Sequence, residues 1–231
     1  SIPQSQSRFG VSVDGGGDVN CDGFDDVIVG ARGYTNGEAN EGAVFVYHGS
    51  QYGIVIVANG PSELYGAHAV IESDQVGAEL GQFVSFAGNV NGDTVNGFAC
   101  DDVIVGAHKY EHEQNEPQLD EEGAAFVFLG SSLNGIVGTN PDTAHARIVG
   151  GSAGSHFGES VSGAGDVNRD GYDDVIVGAQ LYDSSGNEFY PGLLIDSGAA
   201  FVFHGSDTGI VGTGPTVWLD ASVNSQAQLE T

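Results

Sequence analysis

The stretch DVNCDGFDDVIVGA occupies residues 18–31 and returns as DVNRDGYDDVIVGA at residues 166–179. A longer relative, NVNGDTVNGFACDDVIVGA, occupies residues 89–107. Each copy joins a turn rich in Asp and Asn to a Val/Ile run, which is typical of a buried β-strand. The threefold return predicts a chain built from three repeats of one structural unit.

The similarity continues on both sides of these turns. FGVSVDGGG, LGQFVSFAG and FGESVSGAG precede them, whereas GAVFVYHGS, GAAFVFLGS and GAAFVFHGS follow the Val/Ile runs. A looser fourth segment comes last, as AHAVIES, AHARIVG and PTVWLDA. The four aligned segments predict four short strands in each repeat. We place the repeats at about residues 8–73, 79–151 and 156–222 of a single domain, 1–231.

The fold class predicted from this pattern is all-β. Thirty-eight glycines separate the strands, and no segment shows an apolar helical period with caps. Four antiparallel strands repeated radially describe the blade of a β-propeller, and propellers close with about 4 to 8 blades. Three blades leave two apolar faces open, so we expect a second copy to complete six blades as a homodimer. The alternative is that the chain belongs to a longer array of blades.

The repeated turn between strands one and two offers oxygen atoms at alternate positions, and a glycine allows the sharp bend. Hard oxygen ligands without thiolate or imidazole suit Ca²⁺ better than Mg²⁺. The alternative is a turn held only by Asx hydrogen bonds, but converging carboxylates would then repel one another. The predicted ligands of the first turn are Asp18, Asn20, Asp22, the carbonyl of Phe24 and Asp26.

The third copy of the turn matches the first position for position, whereas the middle copy departs from it. The middle turn begins with Asn instead of Asp, and it has five extra residues before its last Asp, with Asn96 or a carbonyl near Phe98 as further ligands. We expect two strong calcium sites and one weaker one. The remaining predicted ligands are Asp166, Asn168, Asp170, the carbonyl of Tyr172 and Asp174, and Asn89, Asn91, Asp93 and Asp102.

The negative charge of the chain disfavours some classes of binding partner. Thirty-two acidic residues against five Lys and Arg give a net charge of −27, which repels nucleic acid and anionic membrane surfaces. No apolar run of about 20 residues is present, so we expect no membrane insertion.

The chain begins without Met, so either a signal has been removed or this is a segment of a longer protein. Cys21 and Cys100 either form a bridge with each other, form bridges between chains or remain free thiols.

The succession Phe-Gly, D-x-N-x-D-G-x-x-D and V-I-V-G-A resembles the FG-GAP repeat of integrin α-subunit propellers and their bacterial relatives, over roughly residues 8–222. The resemblance implies a β-propeller with Ca²⁺ in the turns between strands one and two, on the face opposite the usual ligand-binding loops. Two departures stand out: no Pro follows any Gly-Ala, and the middle Phe-Gly is Leu80-Gly81.

The connections between strands two and three vary most among the repeats, and variable loops on a rigid scaffold usually carry recognition. They cover residues 32–41, 108–122 and 180–197. We expect a protein or carbohydrate ligand there. In the last loop Phe189, Tyr190, Leu193 and Leu194 form either a sticky patch or a local cluster. Tyr34, Tyr110 and Tyr182 recur at one repeat position, which indicates packing; if exposed, they would suit stacking on sugars.

The sequence nominates no enzyme site, because no nucleophile elbow, phosphate-binding loop or Cys-His arrangement occurs. The function predicted is a calcium-binding, non-catalytic module for adhesion or protein recognition. The alternative is a glycan-binding propeller or an accessory domain of a secreted hydrolase. Millimolar extracellular calcium would fill even weak turns, so we expect a secreted or cell-surface location.

Overall fold

The computed structural model describes residues 6–58, 66–111, 121–132, 135–150, 153–183, 196–210, 218–220 and 227–230. This part of the chain consists of strands, turns and one short 3-10 helix, Pro141–Thr143, which confirms the all-β prediction. Within it, no helix has the length and apolar character needed to cross a membrane.

Three antiparallel sheets of four strands form the body of the structure. Sheet 1 has the order β1-β2-β3-β4, sheet 2 contains β5-β8-β9-β12, and sheet 3 has the order β13-β14-β15-β17. The strands of these sheets are β1 (Ser12–Gly17), β2 (Asp26–Ala31), β3 (Ala43–Tyr47), β4 (Ala69–Glu72), β5 (Phe83–Gly88), β8 (Asp102–Ala107), β9 (Ala124–Phe128), β12 (Ala146–Val149), β13 (Phe157–Gly165), β14 (Asp174–Ala179), β15 (Ala199–Phe203) and β17 (Ala227–Glu230).

Two small hairpins and one added strand complete the described elements. The hairpins pair β6 (Thr94–Val95) with β7 (Phe98–Ala99), and β10 (Gly130–Ser131) with β11 (Gly135–Ile136). The first hairpin is the five-residue insertion of the middle turn. It closes through Asn96 and Gly97, both with positive φ, which is the usual chemistry of a two-residue hairpin turn.

The fourth strand of sheet 3 differs from the sequence prediction. Segment 215–221 was expected to provide it, but residues 227–230 (β17) pair with β15 instead. Part of the expected segment forms β16 (Trp218–Asp220), which pairs in parallel with β12 and so extends sheet 2. Without β16, β12 would be the outer strand of sheet 2 and would expose unpaired backbone N–H and C=O groups. Strand β16 pairs with this edge. The predicted boundary of the third repeat, residue 222, lies before the strand that completes its sheet.

The sheets stack face to face through continuous apolar cores. One core lies between sheets 1 and 2 and includes Ile28, Val44, Leu80 and Phe126. A second core lies between sheets 2 and 3 and includes Ile104, Ile148, Phe157 and Phe201. Parallel bridges between Gly42 and Leu80, and between Gly123 and Phe157, join the sheets at their edges. The Leu-Gly and Phe-Gly pairs that open the second and third repeats therefore serve as the contacts between sheets.

The recurring tyrosines are packing residues. Tyr34, Tyr110 and Tyr182 each meet the Phe of the third strand of their own sheet edge to face, at an interplanar angle of 78°. The ring centroids lie 5.1–5.4 Å apart, a favourable aromatic geometry. The structural interpretation of these tyrosines is confirmed.

Candidate functional site

The turn between β1 and β2 folds around its own side-chain oxygens. The two carboxylate oxygens of Asp18 accept hydrogen bonds from the backbone N–H groups of Asp22 (3.0 Å) and Gly23 (2.6 Å). Asn20 Oδ1 also accepts from the Asp22 N–H at 3.1 Å, and Asp22 Oδ1 accepts from the Phe24 N–H at 2.9 Å. Alternate side chains of the turn therefore point inward, as the sequence predicts.

The turn between β13 and β14 repeats this network atom for atom. Asp166 accepts from the N–H groups of Asp170 (3.1 Å) and Gly171 (2.9 Å). Asn168 Oδ1 accepts from Asp170 N–H at 2.9 Å, and Asp170 Oδ1 accepts from Tyr172 N–H at 3.0 Å. The same residue types thus produce the same geometry in two separate sheets.

The curl of these turns depends on left-handed backbone positions. The fourth residue of each turn has positive φ: 59° at Cys21, 72° at Gly92 and 63° at Arg169. The sixth residue of the first and third turns is a glycine, with φ of 88° at Gly23 and 97° at Gly171. Non-glycine residues rarely adopt this conformation, and here it turns the neighbouring side chains toward one centre.

The last Asp of each turn is fully buried and ties the turn to its sheet. Asp26 accepts from the N–H groups of Val19 (2.9 Å) and Gly49 (2.7 Å), one on each carboxylate oxygen. Asp102 binds Val90 and Gly130 in the same way, and Asp174 binds Val167 and Gly205. Burial, together with the nearby carboxylates of Asp18 and Asp22, raises the pKa of Asp26 to about 6. Burial also raises the pKa of Asp102 well above its usual range.

The middle turn keeps the outline but loses part of the network. Asn91 Oδ1 accepts from the Asp93 N–H at 3.0 Å, as in the other turns. Asn89 instead donates its side-chain amide to the Asp93 carbonyl at 2.7 Å, and its buried Oδ1 has no hydrogen-bond partner. Burial raises the pKa of Asp93. The first position of the middle turn therefore carries no charge, and the inserted hairpin lengthens the turn.

The donor set of the turns suits a hard cation. Within the described residues, no Lys or Arg forms an ion pair with a carboxylate of the three turns; His204 lies 3.2 Å from Asp174. The carboxylates of one turn do not, however, come within 4.8 Å of one another as a group of three; among the described residues only Glu38, Glu41 and Asp74 do. In the first and third turns the carboxylates accept hydrogen bonds from backbone N–H groups and, at Asp22 and Asp170, from the side-chain amides of Asn20 and Asn168.

Two residues of the site were missed by sequence reasoning. Asp101 Oδ2 accepts the backbone N–H of Asp18 at 2.9 Å, and Asp173 Oδ2 accepts that of Asn89 at 2.8 Å. Asp101 of sheet 2 therefore caps the turn of sheet 1, and Asp173 of sheet 3 caps the turn of sheet 2. The available signal was the doubled Asp that opens DDVIVGA in all three repeats. Only its second member was assigned a role from the sequence.

A disulfide also joins neighbouring sheets at this end of the molecule. Cys21 in the first turn is bonded to Cys100 beside β7, with the two Cα atoms 4.8 Å apart. The ring of Phe98 packs where a side chain at Gly23 would lie. Of the alternatives left open for the cysteines, the structure contains the bridge between Cys21 and Cys100.

Comparison with known proteins agrees with this geometry. The FG-GAP repeat family matches residues 9–47 and 157–192. The chain carries FG-GAP repeats. Such repeats imply propeller blades and often bind Ca²⁺, so sheets 1, 2 and 3 are blades 1, 2 and 3.

Integrin α subunits are distant homologues of these FG-GAP repeats over most of the chain. Integrin alpha pat-2 of Caenorhabditis briggsae is 29% identical over 215 residues, which cover 89% of this chain and 14% of that protein. Integrin alpha-4 of Xenopus laevis is 31% identical and covers 78% of this chain and 15% of its own length. Integrin alpha-3 of Cricetulus griseus is 30% identical, with 62% and 11% covered. The chain therefore spans about one ninth to one seventh of the length of these relatives.

Proposed function

We propose that this chain is a calcium-binding, non-catalytic propeller module for adhesion or protein recognition. The observation that carries the proposal is the identical oxygen-lined network of the first and third turns. FG-GAP domains related to integrin α subunits are typically non-catalytic. Asp18, Asn20, Asp22, the Phe24 carbonyl and Asp26 would hold one ion, and their counterparts in blade 3 a second.

Calcium would supply charge neutralisation to these turns. Asp18 and Asp22 form the outer side of the proposed site, whereas Asp26 joins it to the N–H of Gly49 beyond β3. An ion shared by these carboxylates would couple the turn to two strands of its blade. A middle site would take Asn89, Asn91, Asp93 and Asp102, with lower affinity because it has two carboxylates instead of three.

Removal of calcium should therefore lower stability. At an ion concentration of about 100 times Kd, each occupied site adds about 2.7 kcal/mol to the free energy of unfolding. We expect chelator-stripped protein to gain melting temperature on addition of calcium and much less on addition of magnesium. Differential scanning calorimetry across a calcium titration and a matched magnesium titration measures both changes in melting temperature.

A conservative variant tests the third turn directly. Asp170→Asn retains an oxygen able to accept the Tyr172 N–H but removes one charge, so it should fold and lose most of the calcium response of one site. Asp207→Asn, an exposed acid outside the turns, is the matched control and should behave as the unaltered protein. An equal calcium response in all three proteins would refute the assignment of the turn.

The proposed partner surface is the opposite end of the blades. Strand β2 runs from the calcium turn to residue 31, so the loop 32–41 lies at the far end, as do the described parts of 108–122 and 180–197. The segment between β4 and β5 links the first two loops: Glu79 pairs with Arg32 at 3.2 Å and with Lys109 at 3.3 Å, and the side-chain amide of Gln75 donates to the Glu111 carbonyl at 2.8 Å. Phe189, Tyr190, Leu193 and Leu194 lie outside the described residues. We propose a protein partner for this surface.

The glycan-binding alternative loses its main support. It required exposed tyrosines, but Tyr34 and Tyr110 are only 9% and 7% exposed. The location we propose is secreted or cell-surface. The disulfide supports it, because disulfides persist in oxidising environments, and calcium is abundant there.

We further propose that two copies of the chain join as a homodimer of six blades. At both internal junctions a Leu-Gly or Phe-Gly pair seats against glycines of the blade before it: a Cβ at Gly30 would lie 2.0 Å from the Gly81 carbonyl oxygen, and one at Gly106 would lie 2.0 Å from that of Gly158. Blade 3 offers the same surface at Gly178, where a Cβ would meet no backbone of another blade.

The element that would contact Gly178 of a second copy lies on the open face of blade 1. Phe9 and Gly10 occupy the repeat position of Leu80 and Gly81, yet Phe9 is 40% exposed whereas Leu80 is fully buried. Two copies related by a twofold axis would place Phe9 and Gly10 of each against Gly178 of the other, an arrangement that makes two identical contacts.

Solution mass tests this dimer. We expect the mass of two chains by sedimentation, and a shift to one chain in Gly178→Ala, because the new methyl group would occupy the place of the partner's Gly10 carbonyl. Within its own chain that methyl meets only the hydroxyl of Ser160, which can rotate. A single-chain mass for the unaltered protein would reject the homodimer and favour closure by further blades of a longer chain.

A further inference from the structure

Blade 1 carries a second group of acidic side chains, far from the calcium turns. Glu38 and Glu41 lie on the loop between β2 and β3, and Asp74 lies two residues beyond the end of β4. One carboxylate oxygen of each lies within 4.8 Å of the others, and no other group of three His, Cys, Asp or Glu residues in the described part of the chain is as close. The group therefore lies at the end of the blade that carries the proposed partner surface.

Glu41 is the unusual member of this group. Its side chain is fully buried, and one carboxylate oxygen accepts the backbone N–H of Asn36. The other oxygen, Oε2, is buried and has no hydrogen-bond partner. A buried carboxylate is costly unless its charge is compensated. Glu41 also belongs to a group whose other members, Glu38 and Asp74, are acids.

In the described part of the chain, these charges are not compensated by ion pairs. Among the described residues, none of the ion pairs involves Glu38, Glu41, Glu72 or Asp74. Burial, together with the nearby carboxylates of Glu72, Glu38 and Asp74, raises the pKa of Glu41 to about 7. The pKa of Glu72 is raised for the same reasons. The site is thus one in which a cation would relieve both the burial of charge and the mutual repulsion.

We propose that Glu38, Glu41 and Asp74 bind a divalent cation of the calcium type, separate from the three turns. Two oxygens bound to one Ca²⁺ at about 2.4 Å are separated by at most about 4.8 Å, and one oxygen of each carboxylate lies within that distance of the other two. Mg²⁺, with bonds of about 2.1 Å and strict octahedral geometry, requires a tighter set. All donors are hard oxygens, which also disfavours zinc and copper.

The surroundings of the group indicate what this ion does. Asp74 also accepts the side-chain amide of Asn140 in blade 2 at 2.7 Å, and the N–H of Glu72 donates to the Thr139 carbonyl at 2.9 Å. Asn36 donates its side-chain amide to both oxygens of Glu72. A bound cation therefore fastens the β2–β3 loop of blade 1 to the junction with blade 2 and fixes the shape of the proposed partner surface.

Blade 2 provides a natural comparison. Glu122 occupies the repeat position of Glu41 and is likewise fully buried. Val149 and Gly151, however, stand where blade 1 has Glu72 and Asp74, so the acidic group is not repeated. Glu122→Gln is therefore the matched control for Glu41→Gln, with the same chemical change at the same place in a neighbouring blade.

Counting bound calcium tests the proposal with the whole chain. In equilibrium dialysis we expect Glu41→Gln to bind one ion fewer than the unaltered protein, and Asp74→Asn to weaken one site at least 10-fold while keeping an oxygen for Asn140. Glu122→Gln should bind the original number. Asp74 is exposed, so Asp74→Asn decides the matter if Glu41→Gln does not fold.

The outcome is independent of the calcium turns. Asp170→Asn removes a different ion, so the losses in Asp170→Asn and Glu41→Gln should add in the double variant. If the turns bind nothing, the unaltered protein binds one ion and Glu41→Gln binds none. Unchanged ion number and affinity in both Glu41→Gln and Asp74→Asn would overturn the proposal, and would mean that a bound proton compensates Glu41.

Discussion

Loss of the Cys21–Cys100 disulfide should lower the free energy of unfolding by about 4 kcal/mol. The two cysteines are 79 residues apart in sequence, and a crosslink closing a loop of that length removes much of the freedom of the unfolded chain. For a protein of this size, about 4 kcal/mol corresponds to a fall in melting temperature of about 8–16 °C. The double variant Cys21→Ala, Cys100→Ala is suitable, because both side chains are buried.

Reduction of the unaltered protein provides the control for this variant. Dithiothreitol should lower its melting temperature to that of the double variant and should leave the variant itself unchanged. The loss should also be visible locally, since the disulfide fastens the first turn to blade 2 beside the hydrogen bond from Asp18 to Asp101. A reduced protein that melts within about 2 °C of the oxidised one would contradict the prediction.

The second large effect concerns the junction between blades 2 and 3. Gly106→Ala should cost about 3–4 kcal/mol, at the upper end of overpacking effects. The new Cβ would lie 2.0 Å from the backbone carbonyl oxygen of Gly158. No side-chain rotation relieves this contact, because the position of the Cβ is itself fixed by the backbone of residue 106. The blades must therefore separate, which opens the apolar core around Phe157 and Ile148.

Gly178→Ala is the matched control, because Gly178 occupies the same position on the open face of blade 3. Its Cβ would lie 2.3 Å from the hydroxyl oxygen of Ser160, a contact that a change of rotamer relieves, so we expect a cost below about 1 kcal/mol. Urea unfolding should be compared at a concentration at which sedimentation shows single chains. Equal losses in the two variants would show that the close approach between blades is not the cause.

Much of the candidate site follows from local sequence. The turns need oxygen donors at alternate positions, a residue with positive φ at the fourth and a glycine at the sixth, and all of these lie within nine residues. The DVIVGA segments contain a continuous run of Val and Ile, which identifies them as buried strands. Local chemistry of this kind predicts the repeats, the all-β class and the inward direction of Asp18, Asn20 and Asp22, whatever the rest of the chain does.

Other features depend on how the blades stack. Cys21 and Cys100, like Asp18 and Asp101, come together because blade 2 lies against blade 1 in one particular register. Glu41 and Asp74 meet because the end of β4 returns beside the β2–β3 loop. Residues 227–230, rather than 215–221, complete blade 3 because β12 offers an edge to the earlier segment. The sequence by itself determined the repeat, its strands and its turns, since these rest on contacts between near neighbours. Only the tertiary structure decided the disulfide, the capping carboxylates and the second acidic group, because each joins residues that only the stacking of sheets or the return of the chain brings together.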